Sequence, residues 1–270
     1  MLENPPTVAV VIPAKDEAGR IATTVRSALG IPGVGVVVVV DDGSSDTTGP
    51  QAAAAGAEVI RHPRNRGKAA AMQTGVTEVG RWEISHGSPP HAAVLFIDAD
   101  LQDTAANTAV LVAPVLAGQA DLTIAVLPAQ HAAGGGRGFV VRLARGGIVR
   151  ATGWTPTQPL SGMRCLTREA FRAARPLARG WGVETGMTID LLRRGYRVHE
   201  VPCDLQHRVT GTDLRSQLHR ARQYRDVALA LAVRRLRTVV RRLRAAVGRR
   251  RARPPAAGPG RRPGRRHPRR

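Results

Sequence analysis

Aromatic residues make up only 3% of the 270-residue chain, and cysteine occurs twice. So few rings leave little for stacking on bases, and no stretch interleaves rings with basic residues as single-strand nucleic-acid binders do. Cys165 and Cys203 have neither metal-ligand spacing nor a cysteine-dense context, so both are expected to be reduced and structural. No run approaches the ~20 apolar residues needed to cross a bilayer, and Met1 to Thr7 is polar and proline-containing rather than leader-like. The expected location is the cytoplasm or the periphery of its membrane. A phosphate loop of the G-x-x-x-x-G-K-[ST] type is missing, as is G-x-G-x-x-G after the first strand. NTP hydrolysis and dinucleotide redox chemistry thereby lose their usual support.

Acidic residues are scarce at one end. The net charge is +21, but sixteen of the 41 Lys and Arg residues lie between 234 and 270, where there is no Asp or Glu. That leaves 25 basic against 20 acidic residues, a net +5, for residues 1–233. The excess belongs to a tail, not to a stripe on the folded body, and nucleic acid is not the expected partner.

Two domains of different character follow: residues 1–233 as one α/β unit and 234–270 as a basic end. The pattern predicts strands at Thr7 to Ile12, Val34 to Val40, Ala57 to Ile60, Ala92 to Ile97 and Leu122 to Val126, with helices between them. The valine run at 34–40 suits a parallel strand covered on both faces. Helices are predicted from Asp16 or Glu17 to Leu29, over Ala69 to Val79, over Thr104 to Ala117 and over Phe139 to Thr152. Gly80 to His91 reads as a loop, and the glycine-rich stretch Ala129 to Gly138 as a flexible lid. Shorter units follow: a strand near Met163 to Leu166, a helix from Glu184 and a strand at Arg197 to Pro202. From Asp213 to Val247 apolar positions recur among arginines on one long helix. Its basic, amphipathic end suits an anionic membrane surface, and the Pro/Gly/Arg tail after Gly248 is expected to be disordered.

Polar clusters follow strands one, two and four: Lys15 to Glu17, Asp41 to Asp46 and Asp98 to Asp103. In a doubly wound α/β sheet all three fall on the edge where ligands bind. Asp98 and Asp100 share a face at a strand exit, and two carboxylates that close raise one another's pKa unless a cation sits between them. Mg²⁺ or Mn²⁺ suits such oxygen ligands. A nucleoside diphosphate fits the same edge, with Asp41 on the base or ribose, Asp98 on the ribose, Asp100 on the ion, and Lys68 at a helix start on the phosphates.

In order, VVIPAKDE at 10–17, VVDDGSSD at 39–46, NRGKA at 65–69 and DADLQD at 98–103 resemble a family 2-type glycosyltransferase with a GT-A fold. The resemblance covers roughly residues 7–230 and implies a mixed central sheet flanked by helices. It implies that Pro13, Ala14 and Glu17 flank the nucleoside, that Asp41 contacts the base, and that Lys68 lies by the base or phosphates. It also places Asp98 on the ribose, Asp100 on the metal, and Gln102 as a further metal ligand of the kind found in polyprenyl-phosphate mannose or glucose synthases. Pro159 to Arg164 resembles a sugar and acceptor loop, which assigns Ser161, Gly162 and Arg164 to the acceptor. Gly180 to Gly186 resembles the segment of glucosyl-3-phosphoglycerate synthases whose glutamate, here Glu184, holds the donor sugar, and His207 falls where that group has a metal-binding histidine.

The implied reaction moves a hexose from UDP-glucose or GDP-mannose type donors to polyprenyl phosphate or a 3-phosphoglycerate-like acceptor, with Mg²⁺ or Mn²⁺ as cofactor. Asp100 and Glu184 would carry the chemistry, with stereochemistry left open and a homodimer among the expected assemblies. A sugar nucleotidyltransferase would need a glycine-rich basic loop after strand one, which Pro13 to Glu17 is not. A non-enzymatic protein that uses its basic tail is the remaining rival.

Overall fold

The computed structural model describes residues 8–128, 138–205 and 214–251, with side chains throughout except at 214–220 and 241–251. The chain divides into a unit of residues 1–232 and a second of 233–270. The first is a seven-stranded sheet in the order β3-β2-β1-β4-β6-β5-β7. The strands are β1 (Val8–Ala14), β2 (Val34–Asp41), β3 (Glu58–Arg61), β4 (Ala93–Phe96), β5 (Leu122–Val126), β6 (Arg164–Thr167) and β7 (Val198–Pro202). All pairings are parallel except those of β6 with β4 and β5. The order reverses at β1, whose two neighbours are β2 and β4, and a crevice opens at such a switch point. Because β6 alone runs backward, the loop that enters it, not the loop that leaves it, arrives at that edge.

Helices α1 (Ile21–Leu29), α2 (Thr48–Ala54), α3 (Lys68–Ser85), α4 (Val112–Leu116), α5 (Phe139–Thr152), α6 (Arg168–Ala173), α7 (Val183–Leu192) and α8 (Leu214–Arg251) complete the fold. α1 buries Ile21, Val25 and Ala28, one stripe at helical spacing. The valines of β2 divide between two cores, Val37 and Val39 facing one and Val36, Val38 and Val40 the other, as a strand covered on both faces must. α3 comes close to the sheet at Gly75, where a Cβ would lie 2.3 Å from Val11.

Three elements differ from the expectation. α1 begins at Ile21, because Asp16 takes a left-handed φ of 55° and its carboxylate accepts from the Ser45 N–H at 2.7 Å. The segment after β4 is a 3-10 helix over Gln102–Leu111 before the short α4. There the Thr104 and Thr108 hydroxyls donate to the carbonyls three residues back, at 2.7 and 2.6 Å, a local bond that competes with regular α geometry. α3 runs on through the expected loop to Ser85 because Glu83 is buried there. The Glu83 carboxylate accepts from the His91 backbone N–H at 2.8 Å and pairs with His91 Nδ1 at 2.7 Å and Arg168 Nη1 at 2.5 Å. The lid stretch Ala129 to Gly138 falls almost wholly outside the described residues. Both thiols are reduced and buried, and burial pushes the Cys165 thiol up.

Burial raises the Glu83 pKa, but the bonds from His91 and the Arg168 charge outweigh it and hold the carboxyl below its usual value of 4.5. A depressed carboxyl stabilises the fold above the unfolded-state pKa and loses that contribution as pH falls through the folded one. Glu83→Gln is expected to lower stability by about 1.5–3 kcal/mol at pH 7. In urea unfolding at several pH values, the gap to wild type closes below about pH 4.5; a gap constant with pH would refute this role.

Candidate active site

A cavity of about 860 Å³ lies at the switch-point edge, lined among others by Pro13, Ala14, Glu17, Asp42, Lys68, Asp98, Asp100, Ser161, Gly162 and Glu184. Its size is that of small-molecule sites. Five chain segments build it: the exits of β1 and β4, the start of α3, the loop entering β6, and the start of α7.

The centre is an ion cluster. Lys68, the first residue of α3, places Nζ 2.8 Å from Asp98 Oδ1 and 3.1 Å from Glu184 Oε1. Burial pushes the ammonium down, but the charges of Asp98 and Glu184 prevail and its pKa is raised. Gly162 packs against this cluster so closely that a Cβ would lie 2.5 Å from Lys68 Nζ and 2.8 Å from an Asp98 oxygen. Beside it the Ser161 hydroxyl, buried in the cavity wall, has no hydrogen-bond partner among the described residues. Such an atom fits a bound polar ligand, since an unpaired buried hydroxyl is otherwise costly.

The loops after β1 and β2 are stitched together. Ala18 N–H donates to Asp46 Oδ2 at 3.1 Å, Glu17 N–H to Thr48 Oγ1 at 2.8 Å, and Lys15 Nζ to the Gly43 carbonyl at 3.1 Å. Asp16 and Asp46 are therefore structural, while Pro13, Ala14 and Glu17 face the cavity, with Glu17 also paired to Arg20 at 2.6 Å. Of the two aspartates that end β2, Asp42 lines the cavity. Asp41 is fully buried, its Oδ1 accepting from Ser44 N–H at 2.8 Å and its Oδ2 lying 3.7 Å from Arg61 Nε without a hydrogen bond among the described residues. Asp41, expected on the base, is therefore not part of the cavity wall.

Asp98 and Asp100 both line the cavity past the end of β4. Among the described residues no three His, Cys, Asp or Glu side chains cluster to hold a metal. Two carboxylates at one strand exit nevertheless suit a hard divalent ion whose shell is completed by ligand phosphates. Gln102, the other expected ligand, is exposed with φ 49° and is not part of the cavity wall; its N–H donates to the buried Thr24 hydroxyl at 2.9 Å. His207 lies outside the described residues.

Arg164 does not reach the cavity as an acceptor ligand. It is 1% exposed on β6, with Nε donating to the Ser161 carbonyl at 2.8 Å, Nη2 to the Pro159 carbonyl at 3.3 Å, and Nη1 to the Glu184 carbonyl at 3.1 Å and Thr188 Oγ1 at 3.0 Å. Burial lowers its pKa to about 10, against the pull of Glu184, Glu200 and Asp98. The guanidinium is a strut that ties the loop entering β6 to α7. Sequence reading also missed Thr157, Gln158 and Gln223 in the cavity wall, polar residues with no pattern to distinguish them from surface. Trp181 reaches the wall from a turn backed by α8, where its N–H donates to Asp226 Oδ2 at 3.3 Å. A Cβ on Gly182 would lie 2.6 Å from the Asp226 carbonyl oxygen, so the turn needs glycine to sit that close.

An α/β sheet with this switch point, an aspartate pair at the exit of β4 and a lysine at the start of α3 agree with the GT-A architecture that the sequence motifs imply. The chain belongs to glycosyl transferase family 2, whose profile matches residues 9–171. It is 30% identical over 219 residues to Glycosyltransferase AglJ of Haloferax volcanii, covering 78% of this chain and 67% of that protein. It is 31% identical over 206 residues to glucosyl-3-phosphoglycerate synthase of Mycolicibacterium smegmatis, covering 70% of this chain and 65% of that one. The chain thus spans about two thirds of the length of these relatives. The solved glucosyl-3-phosphoglycerate synthase of Mycobacterium tuberculosis, in complex with Mn²⁺, UDP and phosphoglyceric acid, superposes with a TM-score of 0.65 at 28% identity, covering 85% of this chain and 78% of that one.

Arg164→Ala strips a partner from several buried groups at once and is expected to destabilise the protein by about 2–4 kcal/mol in urea unfolding. Arg164→Lys recovers little, because an ammonium cannot span the same planar set of acceptors. A loss below about 0.5 kcal/mol, as for a surface charge, would overturn the strut.

Proposed function

We propose that this protein transfers a hexosyl group from a nucleoside diphosphate sugar to a phosphorylated acceptor in a reaction that needs Mg²⁺ or Mn²⁺. The observation that carries the reading is the convergence of Lys68, Asp98, Asp100, Glu184 and the Ser161–Gly162 loop on one cavity at the switch point. The relatives add weight, since structures of the M. tuberculosis synthase hold UDP, UDP-glucose, Mn²⁺ or Mg²⁺, and phosphoglyceric acid.

Asp100 would hold the ion, which when bound supplies charge neutralisation to the departing diphosphate. Pro13, Ala14 and Glu17 line the nucleoside end, and Asp98, bridged to Lys68, is placed for the ribose. The Lys68 ammonium has three donors, two of them directed at Asp98 and Glu184, and stands where phosphate oxygens would pass. Glu184, paired with Lys68, is set to accept hydrogen bonds from sugar hydroxyls. On the far side the Ser161 hydroxyl and the Gly162 backbone form the floor for the acceptor, and the close approach at Gly162 keeps acceptor and sugar in reach of one another.

Titrating UDP and GDP into the full chain with and without Mn²⁺ is the direct test. One nucleotide is expected to bind in a metal-dependent manner, and Asp100→Ala to weaken that binding at least about tenfold, the scale of one lost charge-assisted contact. No binding of either nucleotide under any metal condition would refute the reading.

A second reading concerns location. No described helix is long and apolar enough to cross a membrane. On α8, however, Val233, Leu236 and Val240 recur at three- and four-residue spacing and are exposed, among arginines in a stretch, 234–270, that has no Asp or Glu. An apolar stripe set in positive charge matches an anionic bilayer surface, whereas a second copy would bring like charges together. The full chain is expected to sediment with vesicles containing phosphatidylglycerol and not with pure phosphatidylcholine. The double change Leu236→Asp with Val240→Asp abolishes this; equal affinity for both vesicles, or for neither, would overturn it.

A further inference from the structure

Behind the cavity wall, Asp42 joins residues of two sequence motifs and pairs with His62, which belongs to neither motif. His62 follows β3 and is 3% exposed. Its Nδ1 lies 2.7 Å from Asp42 Oδ1 and its Nε2 lies 3.0 Å from Thr74 Oγ1 on α3. A carboxylate oxygen only accepts, so Nδ1 carries the proton and donates. The same Asp42 carboxylate accepts two backbone N–H groups, from Arg66 at 2.8 Å and Gly67 at 2.7 Å. These are the two amides immediately before Lys68. Gly43 closes the arrangement: at φ 73° its missing Cβ would lie 2.7 Å from the Arg64 backbone, so the loop after β2 sits directly on the loop before α3.

We infer that His62 is a positioning residue which, by fixing the Asp42 carboxylate, holds the 64–67 loop and so delivers Lys68 to the phosphate end of the cavity; the binding half of this inference rests on the nucleotide reading above. The mechanics follow from the donor inventory. Asp42 has two oxygens and lines the cavity, where a carboxylate left to rotate would turn toward solvent or ligand. Nδ1–H of His62 pins Oδ1, and Thr74 pins the ring from its other nitrogen. With both ends held, the carboxylate plane stays turned toward the two amides, and the backbone that ends in Lys68 has one position. Gly67 adopts φ 86° to make that turn, with a second bond from its N–H to Asn65 Oδ1 at 2.9 Å.

His62→Asn and His62→Gln separate this role from simple packing. Both lose the ring, and each keeps one of its two contacts: the Asn amide stands near the Nδ1 position and reaches Asp42, while the longer Gln amide stands near Nε2 and reaches Thr74. Both variants, as full chains, are to be titrated with UDP and GDP plus Mn²⁺, and hydrogen exchange of the Arg66 and Gly67 amides measured alongside melting temperature. The expected result is that His62→Gln weakens nucleotide binding about tenfold and accelerates both amides, whereas His62→Asn stays within about threefold on either measure, at similar melting temperatures. Losses that are equal in the two variants, or that follow melting temperature, would overturn it. If the wild type binds neither nucleotide, the transferase reading fails by itself, and the exchange difference between the two variants still decides whether His62 holds the loop.

Discussion

Lys68 brings a single ammonium into a cavity wall where burial works against its charge, and two carboxylates from distant parts of the chain keep it protonated. Asp98 comes from the exit of β4 and Glu184 from the start of α7, while Lys68 itself opens α3. Remove the lysine and two carboxylates would face each other with no cation between them; remove either carboxylate and the ammonium is left with a single partner. The cluster thus couples the parallel half of the sheet to the segment after β6. Other features of the site are arranged to permit it: glycine at 162, where any Cβ would displace the pair, and the close contact of Gly75 that sets α3 against β1.

Topology explains why those distant segments meet. In a wholly parallel sheet every loop on this edge would follow a strand, but β6 runs against β4 and β5. Its entering loop is therefore delivered beside Asp98, and the buried Arg164 at the head of β6 fastens that loop to α7 through the carbonyls of Pro159, Ser161 and Glu184. A guanidinium satisfied by neutral oxygens keeps its positive charge near Asp98 and Glu184 without occupying the cavity. The acidic clusters on the edge likewise divide their labour, with Asp16 and Asp46 spent on joining loops and Asp98 and Asp100 turned to the cavity.

The layered α/β order was legible because the valine run of β2 and the periodic stripe of α1 follow from burial alone, and the polar clusters at strand exits announced the edge. Less was legible where a single residue step decides. Asp41 and Asp42 are identical side chains on opposite faces, and only the last strand position, Asp41 paired with Arg61, determines which one turns to the cavity. Arg164 reads as an acceptor ligand because sequence does not show that three carbonyls await it. The 3-10 stretch over Gln102–Leu111 carried apolar positions that also suit an α-helix, and the threonine-to-carbonyl bonds that tighten it leave no periodic trace. His62 had no motif around it; its meaning comes from Asp42, 20 residues away.

Helix α8 begins in the enzyme body and runs on into the sequence that carries the unbalanced arginines. The first part of α8 belongs to the site, since Gln223 lines the cavity and Asp226 backs the turn that presents Trp181. Leu231, one helical turn and a half further on, fills the space left by Gly147 on α5, where a Cβ would lie 2.4 Å away. From Val233 onward the same helix belongs to the second unit and turns apolar residues outward among arginines. The helix cannot be treated as a tail to be removed at will, because Gln223, Asp226 and Leu231 on it pack against the enzyme body. A loss of activity on removing the whole helix would therefore say nothing about the arginines.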